Sequence, residues 1–264
     1  MRVIIFLAAL LGVARGFVIH EEGHVIYEDS YVIENDNCPM ARLARDYMPH
    51  IKTQEQLRNM EIQLRANMNQ YVDHLLVNAR TYFLESGLDP MTLPDYIRSF
   101  QKKVLGITWN GQLGINNGHL QDLATIYRSG DVNLDYKNKI LLVDANLGFK
   151  DLQFSYDFKA KFMALGPKGY VVGRGNDINI QFKVHLDLDK GVAGLDLFDI
   201  KSIRSLTAKL QGLGVIVDWL IDFLANMVLV IFKGPIVVLI EHKVGDALSH
   251  VIANIDISSF IPRG

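Results

Sequence analysis

A chain of 264 residues, 49% of them hydrophobic, can bury a sizeable core, which excludes global disorder. Its 27 Lys and Arg set against 29 Asp and Glu leave a net charge of −2 and no basic footprint, so nucleic acid is not an expected partner. A single cysteine, Cys38, rules out an intramolecular disulfide and leaves either a free thiol or an intermolecular bridge, as in a Cys38-linked dimer.

Residues 1–16 read as a secretory signal peptide. Arg2 supplies the positive end, residues 3–11 the apolar stretch, and Ala14-Arg15-Gly16 the small residues that cleavage before Phe17 requires. The apolar stretch is too short for a membrane anchor, so the expected product is secreted and extracellular. Residues 17–52 follow as an acidic arm. Its first part, 17–38, carries Glu21, Glu22, Glu28, Asp29, Glu34 and Asp36 and no Lys or Arg. It repeats every seven residues: Phe17-Val18-Ile19-His20-Glu21-Glu22-Gly23, then His24-Val25-Ile26-Tyr27-Glu28-Asp29-Ser30, then Tyr31-Val32-Ile33-Glu34-Asn35-Asp36-Asn37. The Val-Ile pairs and Gly23 disfavour helix, which predicts an extended arm. Two readings stand open: a tail that binds a protein partner or itself, and a plain spacer.

His20-Glu21-Glu22-Gly23-His24 matches the H-E-x-x-H zinc-protease pattern. That chemistry needs both histidines on one helix face and a third ligand. Gly23 and the unequal phases of the two histidines in the repeat argue against it. Neither a metal site nor a cofactor is expected.

Residues 53–86 predict one long amphipathic helix. Leu57, Leu64, Met68, Tyr71, Val72, Leu75, Ala79 and Tyr82 recur at helical spacing, and Ser86-Gly87 supplies a stop. Pro90 and Pro94 mark an ordered turn, followed by an expected short helix over 96–103. The period then changes to two. Residues 107–136 read as strand segments broken at Gly118 and Ser129-Gly130. Over 140–162 the apolar set shifts parity at Lys150-Asp151, which predicts a bulge or tight turn. Residues 166–175 read as a loop, with Gly173-Arg174-Gly175 as a hairpin turn. Residues 178–188 alternate cleanly, and a further strand is expected over 195–203. Residues 213–232 form the most apolar stretch after the leader. Asp218, Asp222 and Asn226 give it one polar stripe, which favours a soluble helix over a membrane span. Lys233-Gly234-Pro235 should kink or break it before a last amphipathic segment, 236–252.

Catalytic patterns are weak. Gly212-Leu213-Gly214 lacks the third glycine of a dinucleotide site. Asp218 and Asp222 one turn apart read as a solvated stripe rather than a carboxylate pair. Cys38 lies apart from any expected buried base, and His119, His185, His242 and His250 are scattered. The chain is therefore not expected to be an enzyme.

The order helix, antiparallel strands, helix implies a one-faced sheet covered by helices. Such packing leaves room for an elongated apolar cavity, although a fully packed core has the same pattern. Leu88-Asp89-Pro90-Met91-Thr92-Leu93-Pro94-Asp95 resembles the helix-to-sheet turn of the group 7 mite allergens. Asn110-Gly111-Gln112-Leu113, Leu123 and Gly130-Asp131-Val132-Asn133 resemble the strand segments that follow it there. Residues 140–188, with Leu165-Gly166-Pro167 and Gly173-Arg174-Gly175-Asn176, are also similar to the takeout and juvenile-hormone-binding proteins of insects. Both groups belong to the tubular lipid-binding superfamily, with the bactericidal/permeability-increasing proteins.

The resemblance spans residues 53–256 and leaves 257–264 as a tail. It implies an α+β half super-roll, a curved antiparallel sheet wrapped around long N- and C-terminal helices. It implies a carrier that holds a lipid or terpenoid-like ligand in an apolar groove or tunnel. The expected lining is Phe154, Tyr156, Phe158, Phe182, Val184 and Leu186 from the sheet, with Trp219, Phe223 and Met227 from the helix. Two features depart from the pattern. Cys38 stands alone where the takeout group has a cysteine pair, and the acidic arm has no counterpart. Two alternatives remain: an interaction protein acting through the arm, and a secreted immune factor recognising bacterial lipid. The absence of a basic patch along the sequence counts against the second.

Overall fold

The computed structural model describes residues 18–19, 25–26, 38–162, 165–212, 218–257 and 260. The expected signal peptide and the His20–His24 motif lie outside these residues. Two short strands, β1 (Val18–Ile19) and β2 (Val25–Ile26), pair antiparallel, with Val18 opposite Ile26 and Ile19 opposite Val25. The Val-Ile pairs of the first two repeat units therefore meet.

Helix α1 (Pro39–Tyr47) starts with a proline, whose missing N–H costs nothing at that position. It buries Met40, Ala41, Leu43 and Ala44, and Met48 follows them into the core. The sequence reading had no helix within 17–52. Helix α2 (Gln54–Glu85) opens with a capping box: Thr53 Oγ1 accepts from the Gln56 backbone N–H at 3.2 Å, and Gln56 Oε1 accepts from the Thr53 N–H at 3.1 Å. It closes at Ser86, and Gly87 turns the chain with φ +75° while the Leu88 N–H returns to the Phe83 carbonyl at 2.9 Å. At about 1.5 Å per residue, the 32 residues make a rod of about 48 Å.

Nine antiparallel strands form one curved sheet: β3 (Met91–Leu93), β4 (Tyr96–Val104), β5 (Ile107–Gln121), β6 (Ile126–Arg128), β7 (Asn133–Lys137), β8 (Ile140–Phe149), β9 (Leu152–Phe162), β10 (Lys168–Asp187) and β11 (Val192–Gln211). Strand β10 organises it. Residues 168–175 of β10 pair with β9, and residues 180–187 pair with β8. The chain from β8 into β9 thus runs as one long line beside β10, and the phase shift at Lys150-Asp151 is the kink where its other neighbour changes. There β8 meets β6 and β7, whereas β9 meets β5. On the far side, β11 pairs with β10 along its whole length.

Three local expectations are corrected. Residues 96–103 are strand, not helix. Tyr96, Phe100 and Val104 are half-buried at a spacing of four, which imitates a helix, because Arg98 and Lys102 occupy the same strand face between them. Residues 168–175 are strand, not loop, and Gly173-Arg174-Gly175 lies mid-strand rather than at a turn. Gly118 does not break β5. The ladder shifts register between Asn116 and His119, a bulge, with Asn117 at φ +54°. The last strand also runs well beyond 195–203.

The C-terminal helix comprises α3 (Asp218–Ile231), a π-helical turn (Phe232–Ile236) and α4 (Val237–Ala253). The kink expected at Lys233-Gly234-Pro235 is present: Pro235 has no N–H to give, Gly234 leaves helical geometry at φ −99° and ψ −105°, and the helix resumes after a wide turn. Residues 213–217 of the expected helix lie outside the described residues. Helices α2, α3 and α4 fill the concave side of the sheet, giving the α+β architecture of a half super-roll.

Candidate functional site

The concave face is built from strand alternation. On β8, Leu141, Val143, Ala145 and Leu147 point inward; on β9, Leu152, Phe154, Tyr156, Phe158, Ala160 and Phe162; on β10, Val171, Ile178, Ile180, Phe182, Val184 and Leu186. All are buried. Aromatic rings couple this face to the helices. Phe154 stacks on Phe232 at 4.4 Å between centroids, and Phe162 meets Trp219 edge-on at 5.8 Å. Phe100 stacks on Phe162 at 5.6 Å and meets Phe223 edge-on at 4.9 Å, with the Lys102 ammonium 5.0 Å above the Phe223 ring.

Strand β11 behaves differently. Its inward residues Leu195, Phe198, Ile200, Ile203, Leu206 and Leu210 all touch the core, yet every one is only half-buried. The C-terminal helix also stays partly open. Phe223 and Leu239 are half-buried, and Val230 and Val238 are exposed. At Gly245 the helix backbone comes close to Phe198 and Leu195, and Glu241 accepts the Ile200 backbone N–H at 2.8 Å. The edge strand and the kinked helix thus meet along half-buried apolar side chains, with the Glu241 carboxylate among them.

Along this helix the large apolar side chains Trp219, Val230 and Val238 are exposed. By length and composition the stretch Trp219–Ala253 could cross a bilayer: its most apolar 18-residue window has a mean hydropathy of 2.3, and 39% of that window is buried. Its buried row, including Leu224, Val228, Ile240, Val244 and Leu248, packs inward. Two cavities among the described residues lie elsewhere, with mixed walls. One, of about 470 Å³, is lined by Arg58, Glu61, Ile62, Arg65, Ala66, Asn69 and Asp131; another, of about 290 Å³, lies on the convex face around Asn146, Asp177, Asn179 and Arg204. Among the described residues no group of three or more His, Cys, Asp or Glu is placed to hold a metal.

The nine residues expected to line a ligand site do not converge on one point. Phe154, Tyr156 and Phe158 lie on the half of the face beside the first part of β10, and Phe182, Val184 and Leu186 on the half beside β8. Tyr156 donates to the Pro94 carbonyl at 3.1 Å, and its pKa is raised first by burial. Met227 is buried and Phe223 half-buried, whereas Trp219 is 38% exposed at the helix start. Sequence reasoning missed the β11 row, although the apolar spacing from Leu195 to Leu210 carried the signal. It also missed Phe100, Phe162 and Phe232, whose partners are set by register. Among the described residues two buried donors have no hydrogen-bond partner, Arg42 Nε and the Tyr71 hydroxyl, and the Tyr71 ring sits edge-on to Phe260 at 5.4 Å.

Comparison with known proteins gives a consistent picture. The family model described as Group 7 allergen matches residues 67–252. Mite allergen Der f 7 of Dermatophagoides farinae is 22% identical over 151 residues, 56% of this chain and 70% of that protein. Mite allergen Der p 7 of Dermatophagoides pteronyssinus is 22% identical over 150 residues, covering 56% and 69%. Among solved structures, Takeout 1 of Epiphyas postvittana aligns over 71% of this chain and 93% of its own, with 20% identity and a TM-score of 0.41. Lipopolysaccharide binding protein aligns over 68% and 36%, with 16% identity and a TM-score of 0.40.

Proposed function

The chain belongs to the group 7 allergen family, and from that premise we propose that it is a secreted carrier holding a lipid or terpenoid-like ligand against an apolar groove, without catalysis. The observation that carries this reading is the seam: the inward apolar residues of β11 and several apolar residues of the kinked helix are only half-buried. In this reading the seam is the entrance and the concave face is the floor, with Phe154, Tyr156, Phe158, Phe182, Val184 and Leu186 beneath the ligand and Trp219, Phe223 and Met227 beside it.

The energetics suit a chain-like ligand. A sheltered sixteen-carbon chain gains about 12 kcal/mol at about 0.8 kcal/mol per methylene. Association costs on the order of 4–15 kcal/mol, so useful affinity needs most of the chain covered. The site then needs shape and apolar area rather than a polar constellation.

Titration with a fluorescent fatty acid tests the reading. Saturable binding is expected, and the pair Ile203→Glu and Leu206→Glu should weaken it at least about tenfold while the circular dichroism spectrum is unchanged. Absence of saturable binding by the unaltered chain, or equal binding by the variant, would overturn the proposal.

A further inference from the structure

The sequence has no basic run, but the fold assembles one. At the end of the sheet where β4 turns into β5 and β9 into β10, the convex face carries Lys103, Lys159, Lys161, Lys168 and Lys209, all exposed. Lys159 stands directly opposite Lys168 across the ladder. Like charges so placed are unfavourable unless an anion offsets them. The lysine ion pairs among the described residues are formed elsewhere, by Lys139, Lys183, Lys190 and Lys201. Apolar side chains are set among the five: Ile97 is 74% exposed over Gly114, beside Lys159, and Leu105 at the hairpin tip is 98% exposed. One carboxylate, Asp157, lies two residues from Lys159 on this face and accepts from Asn117 Nδ2 at 2.8 Å; it leaves the face strongly positive.

The acidic arm has the complementary chemistry. Each of its units joins a Val-Ile pair to carboxylates, and residues 17–38 contain no Lys or Arg. We propose that the lysine-rich end of the sheet is a docking surface for the acidic repeat arm of a second copy of this chain.

Geometry selects the second copy over the chain's own arm. The arm joins the body at Cys38, ahead of α1, and Tyr47 at the end of α1 bonds Asp189 in the turn after β10. That turn is at the opposite end of the sheet. The 20 residues of β10, at about 3.3 Å per step, make a strand about 63 Å long along its curve. Glu28, ten residues before Cys38, reaches about 35 Å from it even fully extended. The β1–β2 pairing folds the arm back and shortens it further. Arm at one end and acceptor at the other make a head-to-tail contact, which builds rings or open chains as concentration rises.

A charge swap on the full chain tests this. One variant carries Lys159→Glu, Lys161→Glu and Lys168→Glu; the other carries Glu21→Lys, Glu22→Lys and Glu28→Lys. Sedimentation velocity should show concentration-dependent association of the unaltered chain, lost in about 0.5 M salt. Each variant alone should be at least about tenfold weaker in association, and a mixture of the two should recover it, which misfolding could not produce. A monomeric unaltered chain, or a mixture no more associated than its parts, would overturn the proposal. So would phosphatidylglycerol vesicles that bind the unaltered and arm variants alike but not the lysine variant, with no self-association, since the patch would then be a bilayer surface.

Discussion

Gly173 is a glycine because Phe154 occupies the space above it. The two are directly opposite across the ladder, and a Cβ at Gly173 would collide with the Phe154 ring. Gly111 does the same for Phe100 and Phe162. This is why residues 166–175 misread as a loop: glycine signals a turn and a close approach equally well, and only the partner strand decides. Gly173→Ala should destabilise by about 1–3 kcal/mol through overpacking. In a urea denaturation cycle with Phe154→Ala the two losses should be less than additive; full additivity would mean that the ring does not rest there. Asp89 is a second local determinant. Its carboxylate accepts from the backbone N–H groups of Asp122 at 2.9 Å and Ala124 at 2.7 Å, tying the helix-to-sheet turn to the far end of β5. Asp89→Ala should cost about 1.5–3 kcal/mol. Tyr71→Phe should leave stability unchanged or raise it, because it removes a buried hydroxyl without a partner; a clear loss would place a hydrogen bond there.

At the scale of elements, α1 is latched by two tyrosines. Tyr47 donates to Asp189 and Tyr136 to Asp46, each at 2.6 Å, and Lys139 donates to Asp189 at 2.8 Å. Burial, then the bond to Asp189, pushes Tyr47 up to about 12, above its ordinary 10.0. The bonds from Lys139 and Tyr47 hold Asp189 below the ordinary 3.8. Because the folded value of Tyr47 is raised, its contribution is fully present below pH 10.0 and is lost as pH rises through about 12. Because that of Asp189 is lowered, its contribution is present above pH 3.8 and is lost as pH falls below it. A fluorophore on Cys38, the residue before α1, should lose anisotropy in both windows while α2 keeps its helical signal. Anisotropy constant across both windows would show that the latch does not hold α1. Elements were read from the sequence with uneven success. The long helix and the Lys150-Asp151 kink were legible because strong periodicity or a parity break marks them. Strand β4 was not, because basic residues sit on its half-buried face and leave apolar positions at helical spacing.

For the whole molecule, what was legible is the order of elements and the one-faced sheet. What was not is where the apolar face stays open. A half-buried and a buried isoleucine have the same period, so the difference between β10 and β11 arises only when β11 becomes the edge and the helix kinks beside it. The lysine-rich end was hidden for the same reason: its residues come from four strands and are not clustered along the chain. The helix Trp219–Ala253 shows the consequence, with an 18-residue window as apolar as a membrane span and with Trp219, Val230 and Val238 left exposed. The proposed carrier role is accessible to one measurement. Native mass spectrometry of the chain purified from a secreting host, followed by organic extraction, should reveal a lipid-sized adduct that extraction removes and that Ile203→Glu with Leu206→Glu abolishes. A bare mass for both proteins, together with no uptake of added fatty acid, would contradict the account.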